Sequence, residues 1–153
     1  MKDATIYALG TPTPTRAHPG ALAVIRLSGP RAGDALEQLT RKSLPTPRRM
    51  ALRTILDPVS GEAIDKGLVV WFAAPHTETG EPMVELHLHG GRAVVGAALD
   101  AIAHLGFCRL AEPGEFTRRA FEHGKLDLTE AEGIADLVAA ETAAQRRLAL
   151  QQM

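Results

Sequence analysis

Proline and glycine cut this chain into short pieces, and that punctuation constrains its fold more than any other feature. Pro12, Pro14, Pro19 and Gly20 form one break, Pro45 and Pro47 another, Pro58 with Gly61 a third, and residues 75–82 a fourth. Proline lacks the N–H that a helix interior or a central strand requires, so no regular element runs through such a break. Between the breaks, short apolar runs predict strands at 5–9, 21–27, 50–56, 67–73, 83–88 and 107–110. Residues 30–42 instead place Ala32, Ala35, Leu36 and Leu39 on one helical stripe, with Pro30 at a first helical position. Gly90 and Gly91 open a second helix over 92–105, and Gly106 closes it with Phe107 as the hydrophobic residue of the cap. Strands and helices are interspersed, with two hairpin-like strand pairs rather than a regular β-α-β-α alternation. The predicted fold class is α+β, a mixed β-sheet with packed helices.

The stretch 113–136 is punctuated differently. Pro113 precedes a helix over 114–123, Glu115 in its first turn suits the positive end of the helix dipole, and Gly124 ends it. A second helix is expected from Thr129, whose hydroxyl would cap while Glu132 reaches back as a capping box. Between the two lies Lys125-Leu126-Asp127-Leu128, a hinge that can hold its Lys and Asp in fixed directions as a ligand-binding loop does. The same alternation also suits a plain turn anchored by its leucines with both charges in water. From Glu130 onward, Ala131, Ile134, Leu137, Val138 and Leu148 keep a helical apolar spacing without a stop signal, so the final helix is expected to be cut rather than finished.

Composition narrows the function classes. With 153 residues the chain suits one domain, or one domain with an extension. Lys and Arg number 17 against 18 for Asp and Glu, so bulk charge points to neither nucleic acid nor membrane. The single cysteine, Cys108, rules out an internal disulfide and reads as a small hydrophobe in a short strand. No secretory h-region or membrane-spanning apolar run is apparent, and a soluble, cytoplasmic protein is expected. A phosphate-binding G-x-x-x-x-G-K-[ST] loop is absent, so this segment is not expected to bind GTP by that route.

Three polar groupings carry possible chemistry. Glu85, His87 and His89 share one face of a period-two strand and could converge on a divalent metal, although the sequence supplies neither a further ligand nor a supporting shell. Arg26 ends an otherwise apolar strand and must find a partner or the surface. Arg41, Lys42, Arg48 and Arg49 flank the prolines of one loop, where they could touch phosphates or simply be solvated. Without interleaved aromatics the solvated reading is preferred there, and for Arg146 and Arg147 as well.

Several motifs together resemble a known family. Pro113-Gly114-Glu115-Phe116, Arg119-Ala120-Phe121 and Lys125-Leu126-Asp127-Leu128-x-x-Ala131-Glu132-x-Ile134-x-Asp136-Leu137 are similar to the N-terminal folate-binding region of the MnmE/TrmE tRNA-modification GTPases. Ala23-Val24-Ile25-Arg26-Leu27-Ser28-Gly29-Pro30 resembles that family's early strand and turn, and Glu85-Leu86-x-x-His89-Gly90-Gly91 its middle motif. The resemblance implies a folate-binding domain over 1–125 and the start of a helical domain over 126–153, the GTPase domain lying elsewhere in a longer protein. It implies that a tetrahydrofolate derivative, 5-formyl or 5,10-methylene, is held by Arg26, Glu85 and Lys125, with no catalytic residue and no metal ligand in this segment. The pterin edge offers an amino group and a ring N–H side by side, which a two-oxygen carboxylate such as Glu85 can receive. Lys125 would serve as a flexible point charge. By the same resemblance two such domains pair as a homodimer, a flavoprotein partner (MnmG, or GidA) completes the modification of the wobble uridine of tRNA, and GTP, Mg2+ and K+ act outside this segment. Two features depart from the pattern. His87 is not the residue expected there, and Thr13-Pro14-Thr15-Arg16-Ala17-His18-Pro19-Gly20-Ala21 replaces a glycine-rich turn. The alternatives are a dimerising or partner-docking module without a small-molecule ligand, and, less favoured, an aminomethyltransferase-like folate enzyme.

Overall fold

The computed structural model describes residues 4–11, 14, 16 and 20–134. Most of the atypical loop 13–21, and Asp136, Leu137, Val138, Arg146, Arg147 and Leu148 of the expected final helix, lie outside the described residues. Two compact units are formed. One is built from the residues up to Thr77 together with Glu81–Leu110, the other from Glu78–Gly80 and the residues from Ala111 onward.

The first unit is a mixed sheet covered by two helices. Its strands are β1 (Thr5–Leu9), β2 (Leu22–Ser28), β3 (Ala51–Leu56), β4 (Ala63–Phe72), β5 (Met83–His89) and β6 (Cys108–Leu110), in the spatial order β3-β4-β5-β2-β1-β6. Every neighbouring pair is antiparallel except β1 with β6, which makes the α+β expectation correct and the sheet mixed through its last strand. Helices α1 (Ala32–Thr40) and α2 (Arg92–His104) pack on the face that carries Ile25, Leu27, Val69, Val84, Leu86 and Leu88. Ala35, Leu36 and Leu39 of α1 and Ala98, Ala101 and Ile102 of α2 complete this core. Burying each large apolar side chain in it contributes on the order of 1.5–3 kcal/mol before chain entropy is counted. Trp71 packs partly buried against the same cluster.

The β3–β4 hairpin shows where local pattern fell short. The expected strand began at residue 67, whereas β4 starts at Ala63 and pairs with β3 back to Leu56. The polar residues Asp65 and Lys66 hid this extension, because pairing with a neighbour rather than apolar content holds them in the strand. Asp57 sets the turn: its Oδ1 accepts the N–H groups of Val59 and Ser60, and its carbonyl accepts Gly61 N–H. The Ser60 N–H, His104 Nδ1–H donating to Oδ2, and the Val59 N–H together pull the Asp57 carboxyl down to about 2.

In the second unit α3 (Glu115–Glu122) starts after Gly114 and is closed by Gly124, both at positive φ, and a further helix runs over 128–134. The expected cap of that further helix is corrected. Asp127, not Thr129, accepts Glu130 N–H at 2.8 Å, while Glu130 Oε1 reaches back to Asp127 N–H at 3.4 Å. Both T-x-x-E and D-x-x-E fit the capping-box pattern, but a carboxylate on the residue just outside the helix is the stronger acceptor.

Candidate functional site

The register of β2 on β5 sets Arg26 directly opposite Glu85. Antiparallel partners share a face, so two residues 59 apart in sequence become lateral neighbours. Arg26 Nε donates to Glu85 Oε2 at 3.2 Å, and His87 Nε2 lies 2.9 Å from Glu85 Oε1. The carboxylate is therefore addressed on one oxygen from across the sheet and on the other from along its own strand. Its side chain is 19% exposed and that of Arg26 41%, so the group is partly desolvated and still open on one side. At this exposure the ion pair adds no more than about 1 kcal/mol to stability. What it offers instead is a positioned acceptor: each carboxylate oxygen has two lone-pair directions, so both can still receive N–H groups from a ligand.

The neighbouring rows of the same face shape the surroundings. Ala8 and Val70 flank the Arg26–Glu85 row, and Leu52, Leu68 and Val24 lie in the row of His87. Beyond His87 the face turns apolar and exposed, with Leu22, Met50, Leu52 and Leu68 lining a groove of about 350 Å³. Gly10 lies beside Arg26. Its N–H bonds Val24 carbonyl at 2.7 Å, and a Cβ there would meet Arg26 Nε at 3.8 Å, an ordinary contact distance.

Lys125 belongs to the second unit, where its N–H bonds Ala120 carbonyl at 2.8 Å just past α3. Gly80 lies against it: a Cβ on Gly80 would come 2.7 Å from His123 Cβ and 3.4 Å from Lys125 Cε. Within the same unit Glu115 is buried with Arg119, and its Oε1 accepts Glu112 N–H at 3.0 Å. The dipole role expected of Glu115 thus understates it, since the carboxylate also anchors a buried guanidinium.

The remaining sequence candidates take structural roles. The His89 ring and backbone N–H bind the Asp65 carboxylate at 2.9 Å, fastening the end of β5 to β4. Burial pushes the Asp65 carboxyl up, but the hydrogen bonds from His89 and Lys66 outweigh it and leave it below the usual range. With His89 turned to Asp65, the three-residue metal constellation does not assemble, and among the described residues no group of three or more potential ligands does. In the basic loop, Arg48 stacks on the Phe72 ring and donates to the His76 carbonyl, and Arg41 lies over Gly61. No helix among the described residues is long and apolar enough to cross a membrane.

The sequence named His87 only as a metal candidate and did not single out Gly10; the contact of His87 with Glu85 came from the structure. The signal for that contact was the place of His87 two residues after Glu85 on a strand.

Comparison with known proteins places the chain in a family. The sequence model of a family described as GTP-binding protein TrmE N-terminus matches residues 5–125. The chain is 59% identical over 149 residues to the tRNA modification GTPase MnmE of Paramagnetospirillum magneticum, covering 97% of this chain and 32% of that protein. It is 55% identical to the protein of the same name from Parvibaculum lavamentivorans over 97% of this chain and 33% of the relative, and 55% identical to that of Phenylobacterium zucineum over 100% and 33%. It thus spans about a third of the length of the curated relatives it matches. Arg26, Glu85 and Lys125 all fall inside the matched span, and the chain belongs to the TrmE N-terminal family.

Proposed function

We propose that this chain is the folate-binding and homodimerisation part of a tRNA-modification GTPase, with a folate domain over 1–125 and a helical domain beginning at 126. Arg26, Glu85 and Lys125 hold a tetrahydrofolate derivative, 5-formyl or 5,10-methylene, and none of them acts as general acid or base. The observation that carries the reading is the Glu85 carboxylate, partly desolvated beside Arg26 and with lone pairs to spare on both oxygens. That acceptor pair fits the adjacent amino and ring N–H groups of a pterin. When bound, the folate supplies a one-carbon unit for C5 of the wobble uridine. The whole protein, in the cytoplasm, works with tRNA and a flavoprotein partner of the MnmG/GidA type, and uses GTP, Mg2+ and K+ outside this segment.

Dimerisation has its own support. Leu22, Met50, Leu52 and Leu68 are 39–55% exposed on one sheet face, an apolar row suited to a second copy. The same row favours the rival reading of a pairing module with no small-molecule ligand. Calorimetric titration with 5-formyltetrahydrofolate separates the two. Saturable heat is expected from the native protein, with Glu85→Gln weaker by roughly 1–3 kcal/mol. A dimer that gives no heat, or a Gln variant that binds as well, rejects the cofactor role; a monomer by light scattering rejects the pairing.

A further inference from the structure

The folate reading assigns Glu85 its task but leaves His87 without one, and the geometry points to a role for it. The two residues stand on the same face of β5, 20% and 19% exposed at the side chain, with His87 Nε2 2.9 Å from Glu85 Oε1. Arg26 holds the other oxygen at 3.2 Å. A glutamate side chain has several rotatable bonds, and a carboxylate must lie in one plane to receive two parallel N–H groups. One tether, from Arg26 alone, leaves it free to swing about that contact. Two tethers on different oxygens, from different directions, fix the plane before a ligand arrives, which is the preorganisation that lowers the entropic cost of binding. Glu85 is an acceptor when ionised, so the tether requires the imidazole proton on Nε2.

We propose that His87 is a positioning residue for the Glu85 carboxylate: its Nε2–H donates to Oε1 and orients both oxygens toward a heterocycle edge that presents two adjacent N–H donors. The inference rests on the folate reading above and adds a residue to it. His87 acts through Glu85, and the ring itself need not touch the ligand. A side chain that keeps the donor but loses the ring should therefore preserve the site, and one that keeps the ring but loses the donor should not.

Two variants make that separation. His87→Phe retains an aromatic ring of similar size without a donor, and His87→Gln retains an N–H donor without the ring. Each is titrated with 5-formyltetrahydrofolate beside the native protein and Glu85→Gln, after urea midpoints have established that it is folded. The expected result is an affinity loss of about tenfold for His87→Phe, the scale of one hydrogen bond to a charged group, and a loss of under about threefold for His87→Gln. Should His87→Phe fail to fold, His87→Leu takes its place with the same expectation. If Phe and Gln both bind like the native protein while Glu85→Gln is weakened, the positioning role is overturned and the folate reading stands. If His87→Gln is weakened as much as His87→Phe, a donor alone does not preserve the site, and if His87→Gln is weakened while His87→Phe binds like the native protein, the ring rather than the donor matters; either result also overturns it. If Glu85→Gln is itself unaffected, or the native protein gives no heat, the folate reading fails and takes this inference with it.

Discussion

Glu115 lets burial be weighed against distance within one carboxylate. Its Oε2 lies 3.3 Å from Arg118 Nη2 and 3.3 Å from Arg119 Nη2, but the Arg118 side chain is 55% exposed and that of Arg119 3%. Bare Coulomb attraction at equal separation would rank the two alike. Solvent breaks the tie: water screens the Arg118 pair and competes for its charges, so Arg118→Ala should cost about 0.2–1 kcal/mol. Removing Glu115, which is 1% exposed, takes a carboxylate hydrogen bond from the buried Arg119 guanidinium and costs about 1.5–3 kcal/mol. The lost acceptor for Glu112 N–H lies within that range. The assay is hydrogen exchange in α3, read at the amides of Arg118 and His123, which bond the carbonyls of Gly114 and Arg119. A loss of 3 kcal/mol lowers protection by about 150-fold, whereas 0.5 kcal/mol lowers it by little more than twofold. Equal effects from Arg118→Ala and Glu115→Ala would refute the argument, because burial would then not have decided the outcome.

Other substitutions and titrations test the rest of the structure. A Cβ on Gly67 would fall 2.4 Å from His87 carbonyl oxygen and 2.9 Å from Leu88 Cδ2, so Gly67→Ala should lower stability by at least about 1–3 kcal/mol in urea, and an unchanged midpoint would contradict the close β4–β5 approach. Gly96 lies in α2 with open space where a Cβ would go, so Gly96→Ala should raise stability by about 0.5–1 kcal/mol; a lower midpoint would count against that placement. The Asp57 carboxyl, held near 2 chiefly by Ser60 N–H and then by His104, is depressed below its unfolded value. Its contribution is present above about pH 4 and is lost as pH falls toward 2; carbon-13 titration should show the low midpoint, and one near 4 would sink the turn assignment. Burial pushes the Cys108 thiol up to about 11 against the opposing pull of Arg31. At pH 8 its alkylation should be on the order of a hundredfold slower than in urea, and equal rates would show an exposed thiolate.

How far the sequence reached is clearest at particular residues. The strand at Thr5–Leu9 and the helices around Leu36 and Ala98 were legible because proline, glycine and apolar period act within a few residues of themselves. The candidate site residues were legible only by motif: Arg26 alone reads as a strand-end arginine, and Glu85 as one of three polar residues on a face. The helix cap at Asp127 was missed for a local reason, two overlapping capping patterns two residues apart.

The sequence by itself determined where most elements lie, which faces are apolar, and the family to which the motifs belong. Only the tertiary structure decided that Arg26 meets Glu85, that His87 tethers the other oxygen, that His89 turns away to Asp65, and that β6 joins β1 in parallel. The physical reason is that side-chain alternation is a property of one strand, while register is a property of two. Moving β2 by a single residue against β5 would carry its whole buried set to the other face, so the core fixes the alignment and the polar row follows from it.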